Sequence, residues 1–143
     1  MTNKAFFERL GAPLANPRWS WGAERKEDGT VFLRVWQDEC KKIDGKFFMR
    51  LTANEYFEKN DPANLGYQER LRHIGLVENG AMAYMTICEA KDVSAIPRSV
   101  KKYNDKEVFL GGLLIDRNGD KWLELKERFP IKDVQKIRNN SPI

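Results

Sequence analysis

Apolar residues first recur at helical spacing. Ala5, Phe6 and Leu10 share one face of a short N-terminal helix, Thr2 stands at its cap position, and Gly11 stands where a left-handed residue ends a helix. A Pro-containing loop covers 12–17, and then the period falls to two. Residues 18–25 and 30–37 read as two strands, and Glu27-Asp28-Gly29 between them supplies the turn chemistry. In the second strand Val31, Leu33 and Val35 face one way and Phe32, Arg34 and Trp36 the other, so both faces should be covered.

Asp44-Gly45 marks a further turn before a strand over 46–51, and 52–59 suits one or two helical turns. Residues 66–78 read as a helix in which Tyr67, Arg70, Leu71, Ile74 and Val77 recur at helical spacing, ended by Asn79-Gly80. Residues 81–90 read as a buried strand. The stretch 92–104 reads as irregular, with a short helix after Pro97. Residues 107–116 and 120–129 form the clearest hairpin, because Asn118-Gly119 is the preferred pair for a type I′ turn. A short helix over 131–138 closes the chain. The expected class is α+β: a mostly antiparallel, strongly curled or barrel-like sheet of five or six strands with about three helices. With no repeat, low-complexity tract or linker, residues 1–143 read as a single domain.

Composition narrows the setting. A chain of 143 residues with 41% hydrophobic and 32% charged residues can bury a continuous core. No apolar run is long enough to span a membrane, and Glu8 within the N-terminal stretch argues against a signal peptide. Cys40 and Cys88 lie far apart, which fits reduced thiols in a cytoplasmic protein. The formal net charge of +4 permits contact with phosphates without requiring it. The most basic run is Pro97-Arg98-Ser99-Val100-Lys101-Lys102.

Several chemistries lack their residues. One histidine, His73, and two distant cysteines do not make a zinc site, so His73 reads as a solvated or satisfied histidine. No nucleophile motif and no phosphate-binding glycine loop occurs, and no cofactor is implied. Cys40 beside Lys41 and Lys42 is a candidate for a lowered thiol pKa. Gly111-Gly112 reads as a bulge or a close approach of backbones. Asp116 and Glu124-Leu125-Lys126 have the residue types of a metal-dependent nuclease. In a regular hairpin Asp116 pairs with Lys121 and Leu113 with Glu124, so the two carboxylates fall on opposite faces about 10 Å apart along the strand.

The aromatic cluster is the remaining candidate. Trp19 and Trp21 share a face of the first predicted strand, and Trp36 ends the second, near the start of the first. Stacked on a base, these three would form a platform, and Asp38 would accept hydrogen bonds from the base edge. Arg18, Arg34, Arg98, Lys101 and Lys102 would contact phosphates. The competing reading makes Trp21 and Trp36 core and Trp19 a cap on the sheet edge.

The layout of residues 16–39 and 66–127, including Gly111-Gly112 and Trp122-Leu123-Glu124-Leu125, resembles the PUA-like superfamily of ASCH, EVE and SRA domains. That resemblance implies a curled sheet with helices at its ends and a recess that reads RNA or a modified base flipped from DNA. It also resembles domains attached to bacterial modification-dependent endonucleases, without the cutting half. The leading expectation is therefore a non-catalytic module that binds DNA or RNA, with no membrane partner and no specified oligomeric state. The alternative is an accessory domain that docks on protein through an apolar patch around Phe47, Phe48 and Met49. The third is the nuclease.

Overall fold

A computed structural model describes residues 2–96 and 98–135. Helix α1 (Asn3–Arg9) starts where the Thr2 hydroxyl accepts the Ala5 N–H at 3.1 Å, and Gly11, at φ +78°, turns the chain away. Strands β1 (Gly22–Arg25) and β2 (Thr30–Trp36) form a hairpin, followed by a single 3-10 turn (Gln37–Glu39). Next come β3 (Cys40–Ile43), β4 (Lys46–Arg50), α2 (Asn54–Asn60) and α3 (Leu65–Glu78). The chain continues through β5 (Ala83–Ala90), β6 (Val100–Tyr103), β7 (Glu107–Arg117), β8 (Asp120–Pro130) and α4 (Ile131–Val134). Of the expected C-terminal helix over 131–138, residues 136–138 lie outside the described residues, as does Pro97.

The class is α+β with a mostly antiparallel sheet, as the hairpins indicate. The counts and closure differ from expectation. Among the described residues the sheet has eight strands in the order β1-β2-β5-β7-β8-β4-β3, with β6 also on β5, and there are four helices. The path runs from β1 to β3 without closing, so the pairing is that of an open sheet rather than a barrel. Strands β3 and β6 are the two that sequence patterning passes over. Cys-Lys-Lys-Ile and Val-Lys-Lys-Tyr each turn two lysines to solvent, which removes the apolar alternation that marks a buried strand and protects an edge. Where a short helix was expected after Pro97, β6 forms instead. One pair, β2 with β5, is parallel, and the β3-β4-α2-α3 segment is the crossover that this requires.

The Asn118-Gly119 turn has φ values of +51° and +82°, both left-handed as type I′ needs. Arg117, Asp116 and Ile115 pair with Asp120, Lys121 and Trp122 in the register the turn dictates. Farther along, the register shifts between Gly111 and Leu114, so Gly111-Gly112 does sit at a bulge.

Strand β2 separates two cores, as its alternation demands. Phe32 joins Phe6, Phe7, Leu10, Val108 and Val134 in one. Val31, Leu33 and Val35 join Met49, Ile74, Met85 and Leu123 in the other. Arg25 links α1 to α4: it is 6% exposed, donates to the carbonyls of Leu10 (2.9 Å) and Val134 (2.6 Å), and pairs with Asp28. No described helix is long and apolar enough to cross a membrane.

Candidate functional site: an aromatic and arginine pocket

The site arises because β1 stops while β2 continues. Asn16-Pro17 favours a turn, and one forms: the Asn16 side chain accepts the Arg18 N–H at 2.9 Å, and its carbonyl accepts the Ser20 N–H at 2.9 Å. Arg18 and Trp19 therefore lie on this turn. The expected strand over 18–25 is confined to Gly22–Arg25, and Trp19 shares no strand face with Trp21.

The N–H and C=O of Arg34 both point to the β1 edge. The N–H donates to the Trp21 carbonyl at 2.9 Å, the last bond before β1 ends. Arg70, on α3, replaces the missing strand. Its Nη2 donates to the carbonyls of Arg34 (2.6 Å) and Trp21 (2.9 Å), and its Nη1 to that of Leu51 (2.9 Å). One guanidinium, on a residue 3% exposed, thus ties a helix to the ends of three segments. Burial, reinforced by the positive charge of Arg34, pulls its pKa down to about 10, so it remains charged at neutral pH. Glu69 precedes it on α3, also buried, and accepts the Trp21 N–H (2.9 Å) and the Ser20 hydroxyl (2.8 Å). Trp21 is consequently held through its backbone at both ends.

The side chains then converge. Trp21 packs on Phe57 of α2 with ring centroids 5.3 Å apart, and Phe57 stacks on Tyr67 at 4.8 Å. Trp36 has two guanidinium carbons over its ring, from Arg34 at 5.4 Å and from Arg98 at 5.3 Å. Arg98 in turn grips both oxygens of Asp38 (2.7 and 2.8 Å) and the Val93 carbonyl (2.7 Å). That hydrogen bonding lowers the Asp38 pKa. Arg50 reaches Glu39 at 3.0 Å and Asp120 at 2.9 Å. Trp21, Phe57 and Trp36, with Arg34, Arg50, Arg70 and Arg98, line a pocket of about 410 Å³.

The structure thus brings Trp21, Trp36, Arg34 and Arg98 into one pocket, with Asp38 holding Arg98 from the neighbouring groove. It does not bring the others there. Trp19 and Arg18 stay on the 16–19 turn, and Lys101 and Lys102 are exposed on β6, Lys102 lying 3.6 Å from Glu89. Patterning missed Glu69, Arg50, Tyr56 and Phe57. It did place Arg70 on the periodic face of α3, three and four residues from Tyr67 and Ile74. A charge at a core position was the available signal.

The remaining candidates resolve locally. His73 is buried rather than solvated. Its Nδ1 has no partner, and desolvation, with Arg70 and Arg72 nearby, pushes its pKa down to about 4. Desolvation raises the Cys40 thiol pKa, so the adjacent lysines do not activate it. Asp116 is paired with Lys121 at 2.8 Å, and Glu124 accepts the Leu113 N–H at 3.0 Å. No group of three or more His, Cys, Asp or Glu placed to hold a metal occurs among the described residues. Phe47 is half exposed, whereas Phe48 and Met49 are buried, so they form no common patch. Compared with known proteins, the chain matches no family model, no curated protein and no solved structure.

Proposed function

We propose that this protein is a non-catalytic module that binds DNA or RNA by taking one base into the pocket between Trp21 and Trp36. The observation that carries this reading is the convergence of two tryptophans and several arginines on one cavity of about 410 Å³, inside the range of roughly 300–1,000 Å³ usual for ligand sites. Every base has a π-face, and stacking on an aromatic side chain is worth about 1–3 kcal/mol. In this reading Arg34 and Arg98 serve the ligand inside the pocket, Asp38 sets the position of Arg98, and Arg18, Lys101 and Lys102 meet the backbone outside. Trp19, on the 16–19 turn, takes no part in the stack. The layout resemblance to PUA-like domains fits the same reading, as does a cytoplasmic setting.

The test is binding of short single- and double-stranded DNA and RNA, with and without modified cytosine, followed by tryptophan fluorescence at two salt concentrations. Quenching on binding is expected, with affinity falling steeply as salt rises. Trp36→Leu should weaken binding by roughly tenfold or more at unchanged melting temperature. No binding at low salt would refute the proposal.

A further inference from the structure

One guanidinium in the pocket has no hydrogen-bond acceptor from the protein. Arg50 lies between Glu39 and Asp120, Arg98 is held by Asp38, and Arg70 has Glu69 beside it. Arg34 shares the attraction of Glu69, but among the described residues no carboxylate or carbonyl accepts a hydrogen bond from its guanidinium. Its group lies over Trp36, which orients it and supplies no counter-ion. Burial accordingly lowers its pKa. Arg70, beside it, spends both terminal nitrogens on carbonyls and offers the pocket no free donor. Arg34 lines the pocket with Trp36. A guanidinium without an acceptor is satisfied by an anion with several acceptor oxygens.

We infer that Arg34 forms a subsite for a terminal phosphate, so that the pocket takes a nucleotide by its base and its phosphomonoester together. This deepens the nucleic-acid reading and rests on it. A phosphomonoester carries about −1.5 to −2 charges near neutral pH and three free oxygens. An interior phosphodiester carries one charge and only two free oxygens, so it answers Arg34 less fully. The preferred ligand is then a phosphorylated chain end, or a free mononucleotide of the same chemistry, over a base flipped from within a duplex.

The test compares a single-stranded hexanucleotide carrying a 5′-phosphate with the same strand carrying a 5′-hydroxyl. In parallel it compares the four nucleoside 5′-monophosphates with their nucleosides. The phosphorylated hexanucleotide is expected to bind roughly tenfold tighter or more, and Arg34→Gln should abolish that preference. Arg34→Lys, which keeps the charge and loses the planar fork, should retain part of it. Because the two strands are compared on the wild-type protein, the result does not depend on the variants folding. Equal binding of the two strands would overturn the subsite and leave the nucleic-acid reading standing. Preference for monophosphates over nucleosides, with neither strand bound, would support the subsite and overturn that reading. No binding of any probe would overturn both.

Discussion

Replacing Arg70 by methionine keeps the approximate length of the side chain and removes its donors. The Trp21 carbonyl retains the Arg34 N–H, but the carbonyls of Leu51 and Arg34 each lose the guanidinium that pairs them. At about 1–3 kcal/mol for each buried group left unpaired, these two cost about 4 kcal/mol. Glu69, 2% exposed, also loses the adjacent cation, a further penalty of about 1–2 kcal/mol. Against this, the variant no longer desolvates a guanidinium. The fall of the Arg70 pKa from its ordinary 12.5 to about 10 corresponds to a relief of about 3 kcal/mol. The net expectation is a loss of about 2–3 kcal/mol, or roughly 6–9 °C in melting temperature at about 3 °C per kcal/mol for a chain of this size. Urea unfolding followed by circular dichroism and tryptophan fluorescence reads both quantities. Arg70→Lys cannot span three carbonyls and should fall between the two. A loss below about 1 kcal/mol for Arg70→Met would show that α3 is held by its apolar contacts and that the carbonyl ties are incidental.

Two further outcomes follow from the same frame. Gly66 lies in the first turn of α3, where a glycine-to-alanine change in a free helix is stabilising by up to about 1 kcal/mol; here a Cβ would meet the Trp21 indole at 2.2–2.7 Å, so Gly66→Ala should destabilise the fold and shift the tryptophan emission, and a raised melting temperature would disprove the close approach. His73 has a folded pKa of about 4 against an ordinary 6.5, so the unfolded chain binds more protons between those values. Stability should then fall as pH drops through this window, by roughly 3 kcal/mol in full, and His73→Gln should remove that part of the pH dependence in urea titrations at pH 7 and pH 5.

Much of the fold was legible in local patterning because local chemistry decides those features. Thr2 and Gly11 bound the first helix, Asn118-Gly119 fixes the type I′ turn and the register beside it, and the alternation in β2 assigns Phe32 to one core and Val31, Leu33 and Val35 to the other. The convergence of Trp21 and Trp36 was also legible, since it needs only a hairpin. The polar half of the pocket was not. Arg34 reads as one residue of a strand face, and its lack of a hydrogen-bonding carboxylate depends on where Glu39, Asp38 and Asp120 direct theirs. Arg70 reads as a charge on a helix, and its work depends on β1 ending before β2, which leaves a carbonyl for it to take.

The sequence by itself determined most of the elements, their turns and the faces they bury, because propensity, capping and periodicity act within a few residues. Tertiary structure alone decided the parallel β2–β5 pairing, the two lysine-bearing strands β3 and β6, and the partner of each arginine. Those outcomes are set by groups far apart in the chain competing for the same buried donors and acceptors, and that competition is settled only when the segments pack.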